Sequence, residues 1–439
     1  MGHLTMKRQQ ELVKRLDANP VGAPDSKELR EILTMLYTEE EASIACQMPY
    51  SFSSTRRLSK ITGIEAERLE EILSGMANKG MVLDIRRKGR SSWFLNPLII
   101  GFLEFTMMRV RQDFDQKKLA GLLHNYLLGD PENKMLIEAV AGETQLIRPM
   151  VHEGTLDDSV VEVLDYERTT SVINSAKYWA VGLCHCRHVQ EHRGNACDTP
   201  QEMCLSLGPV AEHLVRQGLG RAITREESLE IVAQAREMGL VQLADNVQKG
   251  VVFICNCCSC CCGILEAYRR LKETTPIQTS NYIARVQEDA CISCGKCVKA
   301  CPVEALSIPA KKEPVELEQG WCIGCGVCAT TCPTDAITMV DRPQRVHTPE
   351  NVTERVVRMA LERGKLVNLI LDEPENMTHR VLRGVINALA ALPPSKQLLA
   401  SKQLQSKFLK FMLPKLGHHP SSKVIYASEF IADSIPCRP

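Results

Sequence analysis

The sequence predicts a multidomain α+β protein, and three observations carry that prediction. The chain has 439 residues, enough for about three domains of ordinary size. Its apolar residues recur at helical spacing in some stretches and at strand spacing in others. Of its 20 cysteines, all but Cys46 and Cys437 are crowded between Cys184 and Cys332. Shifts in composition and pattern divide the chain into a segment 1–26, a domain 27–112, a helical connector 113–180, a helical Cys-rich domain 181–282, a repeat-bearing domain 283–341 and a small helical region 342–439.

Charge is balanced at 53 basic against 53 acidic residues, so no global field draws the chain to nucleic acid or an anionic membrane. The stretch Met1 to Pro20 is polar and lacks the apolar core of a secretory signal, and a cytoplasmic protein is expected. The most apolar run, Leu95 to Met108, is broken by Asn96, Pro97 and Glu104 and is too short to cross a bilayer. A reducing compartment suits the cysteine load, and a chain that is 44% hydrophobic needs no disulfide scaffold.

Residues 27–96 read as three helices and a hairpin. Apolar spacing places helices at Lys27–Tyr37, Ser54–Thr62 and Glu65–Lys79. Met81–Ile85 and Ser92–Leu95 make the hairpin arms around a basic tip, Arg86-Arg87-Lys88-Gly89-Arg90. This order resembles that of bacterial winged-helix regulators. The resemblance implies that the helix beginning at Glu65 would enter a major groove. Its first turns carry Glu65, Glu67, Glu70 and Glu71 against Arg68 alone, and phosphate repels such a surface. The tip, with Arg56, Arg57 and Lys60, argues for DNA; charge placement favours protein docking or dimerisation, with duplex DNA second.

Asp113 to Tyr178 reads as helical, and His124, His152 and Asp157 stand isolated in it, without a catalytic constellation. Gly218-Leu219-Gly220 lacks the strand and the third glycine of a dinucleotide fingerprint. The block 184–262 holds Cys184, Cys186, Cys197, Cys204, Cys255, Cys257, Cys258, Cys260, Cys261 and Cys262, with His185, His188 and His192 close by. Neighbouring side chains of extended chain alternate sides, so consecutive cysteines cannot all address one metal. Some must therefore serve different centres, and the set could supply one further [4Fe-4S] cluster, two clusters, a cluster with a redox-active thiol pair, or zinc, for which Cys and His are usual ligands. Iron and sulfur are preferred here. Between the cysteine groups, Gln201–Val247 reads as helical, with Val210, Leu214, Ile223, Leu229, Ile231 and Val232 as buried positions and Thr224 with Glu227 as a capping box. Val251–Ile254 reads as a buried strand delivering Cys255.

Cys291, Cys294, Cys297, Cys301-Pro302 and Cys322, Cys325, Cys328, Cys332-Pro333 are two copies of Cys-x2-Cys-x2-Cys-x3-Cys-Pro. Gly295 matches Gly326, Ala305 matches Ala336 and Leu306 matches Ile337, so this is an internal repeat. Three thiolates at this spacing can hold three irons of one cubane from a single loop, and the fourth must come from elsewhere. Zinc sites that pair two Cys-x2-Cys arms have no use for the third cysteine or the proline. On these residues the segment 283–341 resembles bacterial dicluster ferredoxins. The resemblance implies a ferredoxin-like fold with two [4Fe-4S] clusters that exchange their fourth ligands. One cluster would take Cys291, Cys294, Cys297 and Cys332, and the other Cys322, Cys325, Cys328 and Cys301. The insert Pro309 to Gly320 is charged and reads as a solvated loop. The block 184–262 is in turn similar to cysteine-rich segments fused to ferredoxin domains in proteins of anaerobes, a similarity that assigns no residue.

Beyond the repeat, Val352–Arg363 reads as an amphipathic helix, Val367–Leu371 as a short strand and Thr378–Leu392 as a helix. Residues 396–416 carry Lys396, Lys402, Lys407, Lys410 and Lys415 beside Leu398, Leu399, Leu404, Phe408, Leu409 and Met412, a basic amphipathic helix suited to an acidic partner or a membrane surface. Cys46 and Cys437 stand apart from the ligands. The expected function is iron-sulfur electron transfer, as a carrier or as an electron-transfer subunit of an anaerobic oxidoreductase. Redox partner proteins would dock on the winged-helix-like domain or on the helix 396–416. The alternatives are a redox-responsive iron-sulfur DNA-binding regulator and a catalytic subunit working on thiol or disulfide substrates at the Cys-rich block. No catalytic residue is assigned.

Overall fold

The computed structural model describes residues 4–129, 142–158, 160, 164–270 and 276–372. The expected helices at Thr378–Leu392 and 396–416, and Cys437, lie outside the described residues. The chain divides into two compact units, one drawn from Met1–Thr144 with Glu350–Pro439 and the other from Gln145–Pro349. No described helix is long and apolar enough to cross a membrane.

In the first unit the helix starts are written as side-chain caps. Thr5, Ser26, Thr38 and Ser54 each accept a hydrogen bond from the backbone N–H three residues on, opening the helices Met6–Asp17, Lys27–Leu36, Glu39–Gln47 and Thr55–Thr62. Gly63, at φ 72, stops the fourth of these, and the helix Ala66–Asn78 follows. Strands β1 (Ser53–Ser54), β2 (Val82–Arg87) and β3 (Arg90–Leu95) form a sheet in the order β1-β3-β2. Lys88 and Gly89 both carry the positive φ that a tight two-residue hairpin turn needs. Fully buried Trp93 donates its Nε1–H to Thr55 Oγ1 at 2.9 Å, tying β3 to the helix Thr55–Thr62. Tyr50, beneath the Arg15 guanidinium at 3.4 Å, packs against Val356, Ala360 and Leu369. The helices Val352–Glu362 and Leu366–Ile370 therefore share a core with the N-terminal helices.

The second unit is built on a six-stranded sheet. Its strands are β4 (Ile147–Met150), β5 (Trp179–Leu183), β6 (Glu202–Leu207), β7 (Arg221–Ile223), β8 (Val241–Asp245) and β9 (Phe253–Cys257). They pair antiparallel throughout in the order β4-β8-β9-β6-β5-β7. Val232 of the helix Arg225–Glu237 joins Met150, Leu205, Leu207 and Ile254 in one apolar cluster, which also takes in Cys258 and Cys261. The polar residues of the central strand β8 are satisfied. Gln242 donates to the Val232 carbonyl at 3.2 Å and accepts from Thr169 Oγ1 at 3.0 Å, while Asp245 accepts from the Val252 N–H at 3.0 Å. Two ribbons complete the unit: β10 (Tyr282–Val286) with β13 (Ile337–Asp341), and β11 (Leu306–Ser307) with β12 (Glu316–Leu317).

Several expectations change. Gln201–Val247 is not wholly helical: it contains β6, β7 and β8 besides the helices Gly208–Arg216 and Arg225–Glu237. Of these, β8 is hidden because all five of its residues are buried, and a strand covered on both faces shows no alternation. Asp113–Tyr178 likewise contains β4 between the helices Gln116–His124 and Thr169–Ser175. Val367–Leu371 is helix rather than strand, since so short an apolar run fits both periods. Thr224 caps its helix through Glu227 N–H at 3.1 Å, but Glu227 turns its carboxylate to Arg221 at 2.7 Å instead of closing the box. The helices Met6–Asp17 and Glu39–Gln47 occur where no helix is expected.

Two outcomes are expected. Gly324 sits at φ 78, and a Cβ there would collide with the Ser280 hydroxyl and the Tyr282 carbonyl. Gly324→Ala should cost about 2 kcal/mol or more, read as a lower urea midpoint, whereas Gly63→Ala, with open space around it, should cost about 1 kcal/mol; equal effects would contradict the collision. Burial pushes the Cys46 thiol up to about 11, against a lowering by Arg8. Because the thiolate is the form that alkylates, iodoacetamide should spare Cys46 at pH 8 and label it as the pH rises toward 11, as peptide mapping would reveal.

Candidate metal centre

The repeat segment lies between β10 and β13, whose antiparallel pairing from Tyr282↔Asp341 to Val286↔Ile337 brings its two ends together. Each copy is a loop followed by a short helix, Lys296–Ala300 in the first and Val327–Thr330 in the second. Gly295 and Gly326 precede these helices at φ 71 and φ 83, a left-handed turn that only glycine enters freely. The two matching glycines therefore have one conformational cause. At Gly326 there is a second, because a Cβ would approach Thr155 Oγ1 to 2.7 Å.

The two sets of thiols differ in depth. Cys322, Cys325 and Cys328 are buried and Cys301 is half-buried; in the other set Cys297 is buried, Cys291 and Cys332 are half-buried and Cys294 is exposed. Burial pushes Cys325 and Cys328 up, and their neighbours Cys301 and Cys322 add to it as like charges. Burial also raises Cys297, with Cys332 and Cys291 as its charged neighbours. Cys301 Sγ accepts the Ala305 N–H at 3.2 Å. Thiols gathered in this way cannot all ionise unless a cation shares their charge. The donor set therefore suits a bound metal centre, an iron-sulfur cluster included.

His152 braces this segment against the sheet. Its backbone N–H donates to the Cys325 carbonyl at 3.0 Å, its Nε2 pairs with the Leu240 carbonyl at 3.0 Å and its Nδ1 with Thr330 Oγ1 at 3.0 Å. Burial lowers its pKa to about 4, so the ring is neutral at pH 7. His152 thus has a structural role, although it stands alone in the sequence pattern.

The ten cysteines of 184–262 separate into two groups. Cys184 follows β5, Cys186 lies in the helix His185–His192, Cys204 is on β6, Cys255 and Cys257 are on β9, and Cys262 precedes the helix Gly263–Arg270. These six are electrostatic neighbours, Cys186 beside Cys184 and Cys262, Cys257 beside Cys262 and Cys255, and Cys255 beside Cys204. Their mutual interactions hold Cys255 and Cys262 low and push Cys257 and Cys186 up. The other four, Cys197, Cys258, Cys260 and Cys261, have sulfurs all within 4.8 Å of one another. Cys197 Sγ lies 3.6 Å from Cys258 Sγ and 3.7 Å from Cys261 Sγ, and Cys260 Sγ is 3.7 Å from Cys261 Sγ. No other three or more Cys, His, Asp or Glu ligand atoms among the described residues come so close together.

Alternation explains the division along β9, where Cys255 and Cys257 share a face opposite Asn256. Of the nearby histidines, His185 Nε2 lies 3.3 Å from Cys186 Sγ, while His188 and His192 pack with their rings tilted by 38° and their centroids 4.8 Å apart. Arg187, which sequence reasoning passed over, is fully buried and donates to the Asn256 carbonyl at 2.7 Å and the Pro200 carbonyl at 3.2 Å. Cys184, Cys257 and Cys258 surround it closely enough to stabilise its charge against the cost of burial. Its only signal in the sequence was a position between two cysteines and a histidine.

Comparison with protein families finds a model described as a 4Fe-4S dicluster domain that matches residues 284–339. No curated protein and no solved structure matches the chain. Residues 284–339 are thus a 4Fe-4S dicluster domain set in a longer chain.

Proposed function

We propose that this chain is an iron-sulfur electron-transfer protein, acting as a carrier or as the electron-transfer subunit of an oxidoreductase. The carrying observation is that the last cysteine of each repeat copy stands among the thiols of the other. Cys301 neighbours Cys322 and Cys325, and Cys332 neighbours Cys297. That adjacency supports one [4Fe-4S] cluster on Cys291, Cys294, Cys297 and Cys332 and one on Cys322, Cys325, Cys328 and Cys301. When bound, such clusters supply reversible one-electron chemistry. The chain shields the second ligand set and leaves Cys294 at the surface beside Ile292, which is 63% exposed. We assign the contact with a redox partner to that edge. The six linked thiols from Cys184 to Cys262 are assigned to a further iron-sulfur centre.

The winged-helix-like segment 27–112 is assigned to protein docking. Glu65 caps its own helix through the N–H groups of Glu67 and Arg68, and Arg68 is held by Glu40 and Glu71, both at 3.3 Å. The turn that would meet phosphate is left acidic. Binding to duplex DNA that depends on Arg86, Arg87 and Arg90 would reverse this assignment.

Anaerobically purified protein should contain about twelve irons with matching acid-labile sulfide, and a count near eight would confine clusters to the repeat. After reduction, Cys301→Ser should share its EPR signature with Cys325→Ser, and Cys332→Ser with Cys297→Ser. If Cys301→Ser instead pairs with Cys297→Ser, the exchange of fourth ligands is wrong.

A further inference from the structure

We propose that Cys197, Cys258, Cys260 and Cys261 form a closed mononuclear zinc site, separate from the iron-sulfur centre built on the other six thiols of the same block. Zinc binds thiolate sulfur at about 2.3 Å, and four ligands arranged tetrahedrally at that radius stand about 3.8 Å apart. Three of the sulfur–sulfur separations are 3.6, 3.7 and 3.7 Å, and all four sulfurs lie within 4.8 Å of one another. A cubane holds each thiolate on a different iron at a different corner, so its sulfurs cannot all approach so closely. The same chain supplies the comparison: among its described residues, neither the eight cysteines of the dicluster domain nor the six linked thiols form a group this tight.

Charge points the same way. Four thiolates around a divalent ion carry two net negative charges, which a partly buried site must balance. Cys258 and Cys261 are buried, and the fully buried Arg187 has Cys258 among its charge neighbours, with Cys184 and Cys257 of the six-thiol group. The Arg187 Nε has no hydrogen-bond partner among the described residues. Placed between the two thiol groups, this guanidinium would offset part of the charge of a zinc tetrathiolate. Cys260 is exposed, which gives the ion a route in.

Four thiolates fill the tetrahedron, so no position is left for substrate and the role is structural. Its placement gives that role a purpose. Cys258, Cys260 and Cys261 sit in the turn after β9, and Cys197 lies in the loop following the helix His185–His192. Zinc would pin the turn to the loop and thereby fix Cys257 and Cys262, which flank the turn and belong to the six-thiol group.

This inference does not rest on the electron-transfer reading, because zinc and iron are counted separately. In anaerobically purified full-length protein, elemental analysis should find about one zinc per chain. X-ray absorption at the zinc edge should show sulfur neighbours alone, at about 2.3 Å. Cys197→Ser should lose zinc, while Cys46→Ser keeps it. Loss of about four irons with their sulfide from Cys197→Ser, with no change in zinc, would overturn the proposal, as would nitrogen or oxygen in the zinc shell of the unaltered protein. If Cys197→Ser does not fold, the absorption measurement on the unaltered chain decides alone. Zinc absent from that chain, or thiol titration showing disulfides at Cys197–Cys258 and Cys260–Cys261, would also overturn it.

Discussion

Sulfur packed into a low-dielectric interior can keep its negative charge only if positive charge is brought in with it. The second unit is organised around that constraint. Burial raises Cys325, Cys328, Cys261 and Cys258, the last to about 12, and the nearest thiols in each case add to the difficulty of ionising. Opposing this are backbone N–H groups, buried Arg187 and the metals that the donor sets fit. Where donors are plentiful the balance reverses, as at Cys197, which Thr199 and its cysteine neighbours bring down to about 6 despite partial burial. Binding of metal to these donors would therefore be coupled to folding of the unit.

The antiparallel sheet is the frame that makes such crowding achievable. Strands β5, β6 and β9 end or pass beside one another, so Cys184, Cys204, Cys255 and Cys257, distant in sequence, become neighbours. The dicluster domain joins the sheet through His152, whose three hydrogen bonds reach Cys325, Thr330 and Leu240. Glycine carries the close approaches: Gly324 and Gly326 allow the second ligand loop to lie against Ser280, Tyr282 and Thr155. In both cases small local choices set the positions of buried thiols.

How much was legible in the sequence depended on how local each signal is. The dicluster repeat is a single short-range pattern, and its spacing alone carried the family likeness that the match over 284–339 supports. Helix caps such as Ser26 and Ser54 are equally local, and the helices after them begin where the pattern places them. The division of ten clustered cysteines was not legible, because it is made by strand pairing: Cys204 meets Cys255 only through the β6–β9 register, and Cys197 meets Cys261 only through a loop closing over 64 positions. The strand β8 escaped notice because a doubly covered strand loses its period. His152 and Arg187 escaped because an isolated polar residue acquires meaning only from what surrounds it.

The run from Cys257 to Cys262 is divided between two thiol groups: its ends, Cys257 and Cys262, in one, and Cys258, Cys260 and Cys261 between them in the other. Membership is thus encoded by register, one residue at a time. A single insertion or deletion here would reassign sulfurs from one group to the other and leave each with the wrong number of donors. Most surface turns tolerate changes in length; this one has the reading-frame rigidity of a code. The lone interruption among these cysteines, Ser259, is the one position of the run that belongs to neither group.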